Sequence, residues 1–287
     1  MPPTPVLFHG LLDDAAVFPP GNAPVAAAVA AHAVHRGARY AGCIGPLLLP
    51  TAAVVELRAV LDQRDAVGPP HAPDPLELVL VSRPGADPAS LVAARAALAD
   101  DERVRVAGAE LGWYQGWRDD LAPALPLAVE VPRGPDGDLA AAEIRSAYQE
   151  GGRVVAKFRT GPTSTWAWPD EAELAAFLRL TTPEVPFKLT GGLHHAVRGT
   201  YEVAGRPEEN HGVLNVLVAT SAALAGAGQD EVAALLAVRD ARALADLVAA
   251  WPDATATRVR EAFTAFGCCT VTDPVDELAD LGLLARS

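Results

Sequence analysis

Lysine is almost missing from this chain. There are two, Lys157 and Lys188, and every other basic side chain is Arg or His. Cysteine is scarce as well. Cys43, Cys268 and Cys269 are too few for a disulfide framework, and an adjacent pair makes a poor bridge, which fits a reducing cytoplasm. No window approaches the roughly 20 uninterrupted apolar residues of a membrane span. The longest candidate, 213–225, is broken by Asn215, Thr220 and Ser221. The opening MPPTPVLFHG lacks the basic region and the long apolar core of a secretion signal, so the expected location is cytoplasmic. Positive charge is short: the net charge is −13. That excludes nucleic acid and anionic membranes as expected partners, because phosphate backbones demand clustered Lys and Arg. It leaves room for a small anionic ligand in a locally basic pocket.

Half of the 287 residues are hydrophobic, enough for a large α/β core. No domain-scale linker, repeat or low-complexity tail interrupts the chain, so 1–287 reads as a single domain. Eight short, mostly apolar runs read as strands: 5–12, 39–45, 76–82, 103–111, 126–131, 153–159, 185–190 and 266–271. Helical segments separate them. Asn22 is the expected cap of a first helix ending at Gly37, and Thr51 of a second reaching Arg64. Asp87-Pro88 opens a third, and 112–124 is an aromatic-rich stretch with a turn or two. Residues 139–150 and 170–180 supply two more. Residues 46–50 read as a turn, and 68–75, with four prolines and His71, as a loop.

After the seventh strand the rhythm changes. Residues 191–210 read as a long loop, followed by helices at 211–225, 229–237, 241–250 and 254–265, with a closing helix at 274–284. The insertion 191–265 is therefore expected to be a lid loop plus extra helices. Continuous apolar strands alternating with helices match a (β/α)8 barrel, the TIM barrel. No glycine-rich fingerprint follows the first strand, which argues against a dinucleotide-binding fold.

In such a barrel, chemistry sits at the C-terminal ends of the strands. The polar residues expected there begin with His9, Asp13, Asp14, Cys43, Ser82 and Arg83. Glu110, Glu130, Lys157, Arg159, Lys188, Thr190, Cys268, Cys269 and Thr270 complete the set. Period-two alternation turns Lys157 and Arg159 the same way, and Lys188 and Thr190 likewise. Glu110 and Glu130 interrupt apolar runs, and buried carboxylates need partners, which lysines on neighbouring strands supply. A lysine can become an amine nucleophile, and a second ammonium beside it should depress its pKa toward neutrality. Glu130 and Glu110 would then move protons. His194 and His195 fall on the lid loop. Asn215, on an apolar helix, is a candidate for the mouth.

Lys157-x-x-Thr160-Gly161 and Lys188-x-x-Gly191-Gly192 resemble the deoxyribose-phosphate aldolase group of class I aldolases over about 45 residues. The resemblance implies that Lys157 forms a Schiff base and that Lys188 tunes it. The departures are Arg159 within the first motif, Leu193-His194-His195 after the second, and Ser82-Arg83 where an acidic proton relay would be expected. The expectation is a lyase of aldolase type, or a related Schiff-base dehydratase or isomerase. It would act on a small carbonyl-bearing anionic metabolite, with Lys157, Lys188, Glu130 and Glu110 catalytic. Arg159, Thr190, His194, His195, Asn215 and His9 would contact the substrate. This reading calls for no cofactor and no metal, and is compatible with a homo-oligomer.

Two alternatives stand beside it. His9, His194, His195, Glu110 and Glu130 could ligate a divalent ion in a metal-dependent hydrolase or lyase. Lys157, Arg159, Lys188 and Arg198 could hold an anion on a non-catalytic barrel. Cys268 and Cys269 read as small packed hydrophobes. Trp113, Trp117, Trp166 and Trp168 could wall a pocket or pack outside the barrel. His32 and His35 read as surface residues of the first helix.

Overall fold

The computed structural model describes residues 4–67, 74–120, 125–163, 166–203 and 205–285. His71 and most of the proline-rich loop lie outside the described residues. Eight parallel strands close into a barrel in the order β1-β2-β3-β4-β5-β6-β7-β10. They are β1 (Leu12–Asp14), β2 (Ile44–Pro50), β3 (Leu76–Val81), β4 (Val104–Gly112), β5 (Leu127–Glu130), β6 (Val154–Arg159), β7 (Phe187–Thr190) and β10 (Phe263–Cys268). Helices α1 (Val25–Gly37), α2 (Val54–Val67), α3 (Pro88–Ala97), α4 (Trp117–Asp120), α5 (Gly137–Gln149) and α6 (Glu171–Thr181) alternate with the strands. Helices α7 (Val213–Leu224), α8 (Gln229–Leu236), α9 (Ala241–Ala249) and α10 (Asp253–Ala262) separate β7 from β10, and α11 (Thr272–Asp280) closes the chain. The fold is a (β/α)8 TIM barrel. No helix among the described residues is long and apolar enough to cross a membrane.

The core lies between barrel and helices. Leu47, Leu49, Leu78 and Leu80 are fully buried on the outward faces of β2 and β3, in one apolar cluster with Leu57 and Leu91 of α2 and α3. Helix α7 is apolar nearly all round, and Val213 to Thr220 are all buried, as a helix wedged between layers must be.

The first two strands depart from the sequence reading. The run 5–12 is not a strand. Val6–Phe8 form a 3-10 turn, Gly10 takes φ +57, and extended pairing begins only at Leu12. Asp13 and Asp14, read as loop, are strand residues. Residues 39–45 are likewise mostly outside β2, which begins at Ile44 and takes in the segment read as a turn. Pro46 and Pro50 misled that reading, since proline cannot donate to a ladder. Here Pro46 falls where the β1–β2 register shifts, and Pro50 ends the strand, both tolerable positions.

Two caps also differ. Asn22 donates its amide to the Pro20 carbonyl and does not cap α1, whose N-cap is Pro24. Thr51 makes no side-chain cap and opens a 3-10 turn ahead of α2. Asp87 and Asp170 do cap, accepting from Ala89 and Glu173. β10 begins three residues earlier than expected, because α10 ends at Ala262.

The long loop after β7 contains a two-stranded antiparallel hairpin, β8 (Gly199–Val203) and β9 (Arg206–Asn210). Its base is fixed to the helices. His195 Nδ1 lies 2.7 Å from Glu277 of α11, whose other oxygen accepts from the Ala196 amide at 2.6 Å. The His195 ring stacks on Tyr201, and Arg198 pairs with Glu171 of α6.

Candidate functional site

Strand register decides which side chains meet. Lys157 on β6 is level with Lys188 on β7 and with Glu130 on β5. Asp13 is level with Gly267 on β10, and Ala265 with Lys188. With alternate residues facing inward, Asp13, Glu110, Glu130, Lys157, Arg159 and Lys188 converge inside the barrel.

Their contacts form one chain of alternating charge. Asp13 pairs with Lys188, and Lys188 also contacts Glu110. Glu110 presents its other oxygen to Lys157 Nζ at 2.8 Å. Lys157 reaches Glu130 at 3.0 Å, and Arg159 takes Glu130 through Nε at 3.0 Å and Nη2 at 3.3 Å. Three carboxylates therefore balance three cations. Burial is nearly complete: the Lys157 side chain is 3% exposed and that of Glu110 1%, whereas Arg159 is 30% exposed and marks the opening to solvent.

Ionisation follows from this geometry. Burial disfavours every charge in the layer, and the neighbours decide each outcome. For Glu110, burial is outweighed by the two lysines, and its carboxyl falls to about 2. Glu130 is lowered against burial by Lys157 and Arg159. Asp13 goes the other way, since its burial outweighs Lys188 and raises it. Both lysines are raised. Burial opposes the charge, but Glu110 and Glu130 hold the proton on Lys157, and Asp13 and Glu110 hold it on Lys188. This corrects the expectation that one ammonium depresses the other. Glu110 stands between them and removes the repulsion.

Close packing of two loops frames the mouth. Thr160 donates to the Gly191 carbonyl at 2.8 Å. A Cβ at Gly161 would sit 2.7 Å from that carbonyl oxygen. At Gly192 (φ +96) it would sit 2.3 Å from the Trp168 ring and 2.9 Å from Gly161 Cα. Gly161 and Gly192 are thus required by the close approach of the β6 and β7 ends, with the Trp168 ring also against Gly192.

Other expected site residues lie elsewhere. His9 is exposed, ahead of β1 at the opposite end of the barrel, where Arg260 donates to its carbonyl. Cys43 lies at that same end, in a 3-10 turn, its buried thiol pushed up to about 11. Asn215 does not face the mouth. Its side chain is consumed by the Arg198 amide and by the Leu235 and Val238 carbonyls, which lock α7 to the turn after α8. His195 is an anchor of the hairpin. His194 is held neutral by burial and lies 3.7 Å from Cys268 Sγ and 3.8 Å from Cys269 Sγ. Thr190 is half-buried and level with Arg159. His32 is buried, paired with Asp14 at 3.0 Å. Trp117 packs in the core, while Trp113 donates to Glu143 and Trp166 lies under the Arg133 guanidinium.

The histidine–carboxylate ligand set does not assemble, since His9 is remote and His195 engages Glu277. Among the described residues no group of three or more His, Cys, Asp or Glu side chains is arranged to hold a metal ion. Asp13 is the site member that sequence reasoning undervalued. Starting the first strand at Leu12 would have turned it inward by alternation.

Fold and site together define a (β/α)8 barrel with a buried, charge-balanced layer of two lysines, one arginine and three carboxylates. Comparison of the chain with family models, curated proteins and solved structures gives no match.

Proposed function

We propose that this barrel is a Schiff-base enzyme of aldolase type, with Lys157 as the amine that attacks a small carbonyl-bearing anion. One observation carries the reading: Lys157 and Lys188 share Glu110, and Lys157 alone also touches Glu130, beside the partly exposed Arg159. Lys188, between Asp13 and Glu110, is held as an ammonium and supplies the second cation.

Lys157 reacts through its minor free-amine form, the proton having been lost to solvent. Its nitrogen adds to the carbonyl carbon, and the carbinolamine loses water. The iminium so formed carries the positive charge where the ammonium carried it, so Glu110 and Glu130 stabilise both species. Glu130, held by Arg159, then takes or returns the proton as a carbon–carbon bond breaks or forms. Arg159 receives the substrate's anionic end. Lyase chemistry is the leading class, and a dehydratase or isomerase would use the same groups.

Borohydride reduction in the presence of small oxo acids and aldehydes, read by intact mass, tests the proposal. A stable mass gain equal to one reduced carbonyl skeleton supports it. No gain with any carbonyl refutes it.

A further inference from the structure

The inward faces of the barrel are unlike on its two sides. From β4 round to β1 they carry the six charged groups. On β2 and β3 they carry Leu48, Val79 and Val81, level with one another or two residues apart in register. These three pack with Ala15 and Phe18 into an apolar cluster separate from the main core. Gly267 continues this wall toward β7: a Cβ there would meet Leu48 Cδ1 at 3.1 Å and Thr190 Oγ1 at 3.5 Å. No side chain in the cluster has a hydrogen-bonding atom.

The charged side has capacity for one anionic group. Arg159 commits Nε and Nη2 to Glu130, and among the described residues nothing pairs with its Nη1, which lies beside Gly191. Because the six charged groups already sum to zero, each added negative charge is uncompensated, so a dianion costs more than a single carboxylate, which shares the one free edge of the guanidinium. Lys157 Nζ and Arg159 Nη2 approach the same oxygen of Glu130. A ketone carbon at Lys157 and a carboxylate at Arg159 are therefore adjacent, as they are in a 2-oxo acid.

From this division we infer that the site takes short aliphatic 2-oxo monoacids, with the alkyl arm against Leu48, Val79 and Val81, in preference to polyhydroxylated or phosphorylated carbonyls. The inference rests on the Schiff-base reading. A hydroxyl turned to the apolar wall loses its water without gaining a partner. An apolar wall rejects a methyl-to-hydroxyl change by about 10- to 100-fold.

The test is the rate of borohydride trapping with 2-oxobutanoate and with 3-hydroxypyruvate, which differ by methyl against hydroxyl. Each rate is divided by that of butylamine under the same conditions, to remove intrinsic reactivity. The expected result is faster normalised trapping of 2-oxobutanoate by at least about 10-fold, with the ratio shrinking in Val81→Thr. If Val81→Thr does not fold, Val79→Thr carries the same comparison. Equal normalised rates for the two acids would overturn the substrate class while leaving Lys157 as the amine. Failure of both acids to be trapped would overturn the Schiff-base reading, and this inference with it.

Discussion

Lys157 and Lys188 stand level on neighbouring parallel strands, yet each turns its ammonium to a different oxygen of Glu110. The pair is therefore two cations joined by one carboxylate, and not a repelling couple. Raised lysine pKa values follow, so both lysines rest as ammonium ions and the free amine that the proposed chemistry needs is a minor form at neutral pH.

Removing the bridge has two consequences. Glu110→Gln leaves both lysines with one fewer counter-charge in a buried layer, and breaking such a pair costs about 3–5 kcal/mol. Urea denaturation should show that loss as a lower midpoint. In the folded variant the lysines repel more and hold protons less firmly, so the alkaline rise in trapping rate should move to lower pH. An unchanged pH profile would show that Glu110 does not set the lysine ionisation.

The wild-type trapping rate should depend on pH in a defined direction. Lys157 is held above its ordinary 10.5, so the free amine is the minor form throughout the neutral range. Between pH 7 and 9 the rate should climb about tenfold per pH unit, as the free-amine fraction does. Stopped-flow or quenched trapping measures this, and a rate already level at pH 7 would contradict it.

Stability carries the same signature with opposite signs at the two ends. Glu110 falls from 4.5 to about 2 on folding, so its contribution is complete above 4.5 and lost as pH falls toward 2. The lysines are raised on folding, so theirs is complete below 10.5 and lost at higher pH. Asp13, raised by burial, opposes the glutamates, because its protonation favours the folded state. The stability gap between wild type and Glu110→Gln should therefore narrow as pH drops below 4.5. A gap constant from pH 7 to 3 would contradict the assigned ionisation.

At the mouth, Gly192→Ala should cost about 2–5 kcal/mol. The residue combines a left-handed backbone with a Cβ position 2.3 Å from Trp168, so strain and overpacking add. Thermal unfolding measures this. Gly205→Ala, at φ +76 but with nothing within 4 Å of its Cβ, isolates the backbone part and should cost less.

Much of the barrel was legible because its strands are apolar runs bounded by glycine and proline. β3 to β7 fall within about two residues of the sequence reading, and period two with the β6–β7 register sets Lys157 level with Lys188. The first two strands were not legible. Leu7 and Phe8 are buried and apolar like strand residues, and only the backbone turn at Gly10 removes them from the sheet. Proline in β2 was read for what it usually forbids. The hairpin was missed because GTYEV and RPEEN are too polar for a core strand, their order coming from cross-strand pairing and from His195 and Arg198 fixing its base. Above all, sequence could place two lysines together but could not show Glu110 between them. That is a relation across four strands, and it reversed the expected direction of the pKa shift.

The most direct measurement is a peptide map of borohydride-trapped protein, for wild type and Lys157→Arg side by side. The account predicts a reduced adduct on Lys157 in the wild type, none on Lys188, and no adduct in the variant. An adduct on Lys188 that survives Lys157→Arg would contradict the assignment of the nucleophile. A folded wild type giving no adduct on either lysine would contradict covalent catalysis and leave the charged layer as a structural ion-pair core.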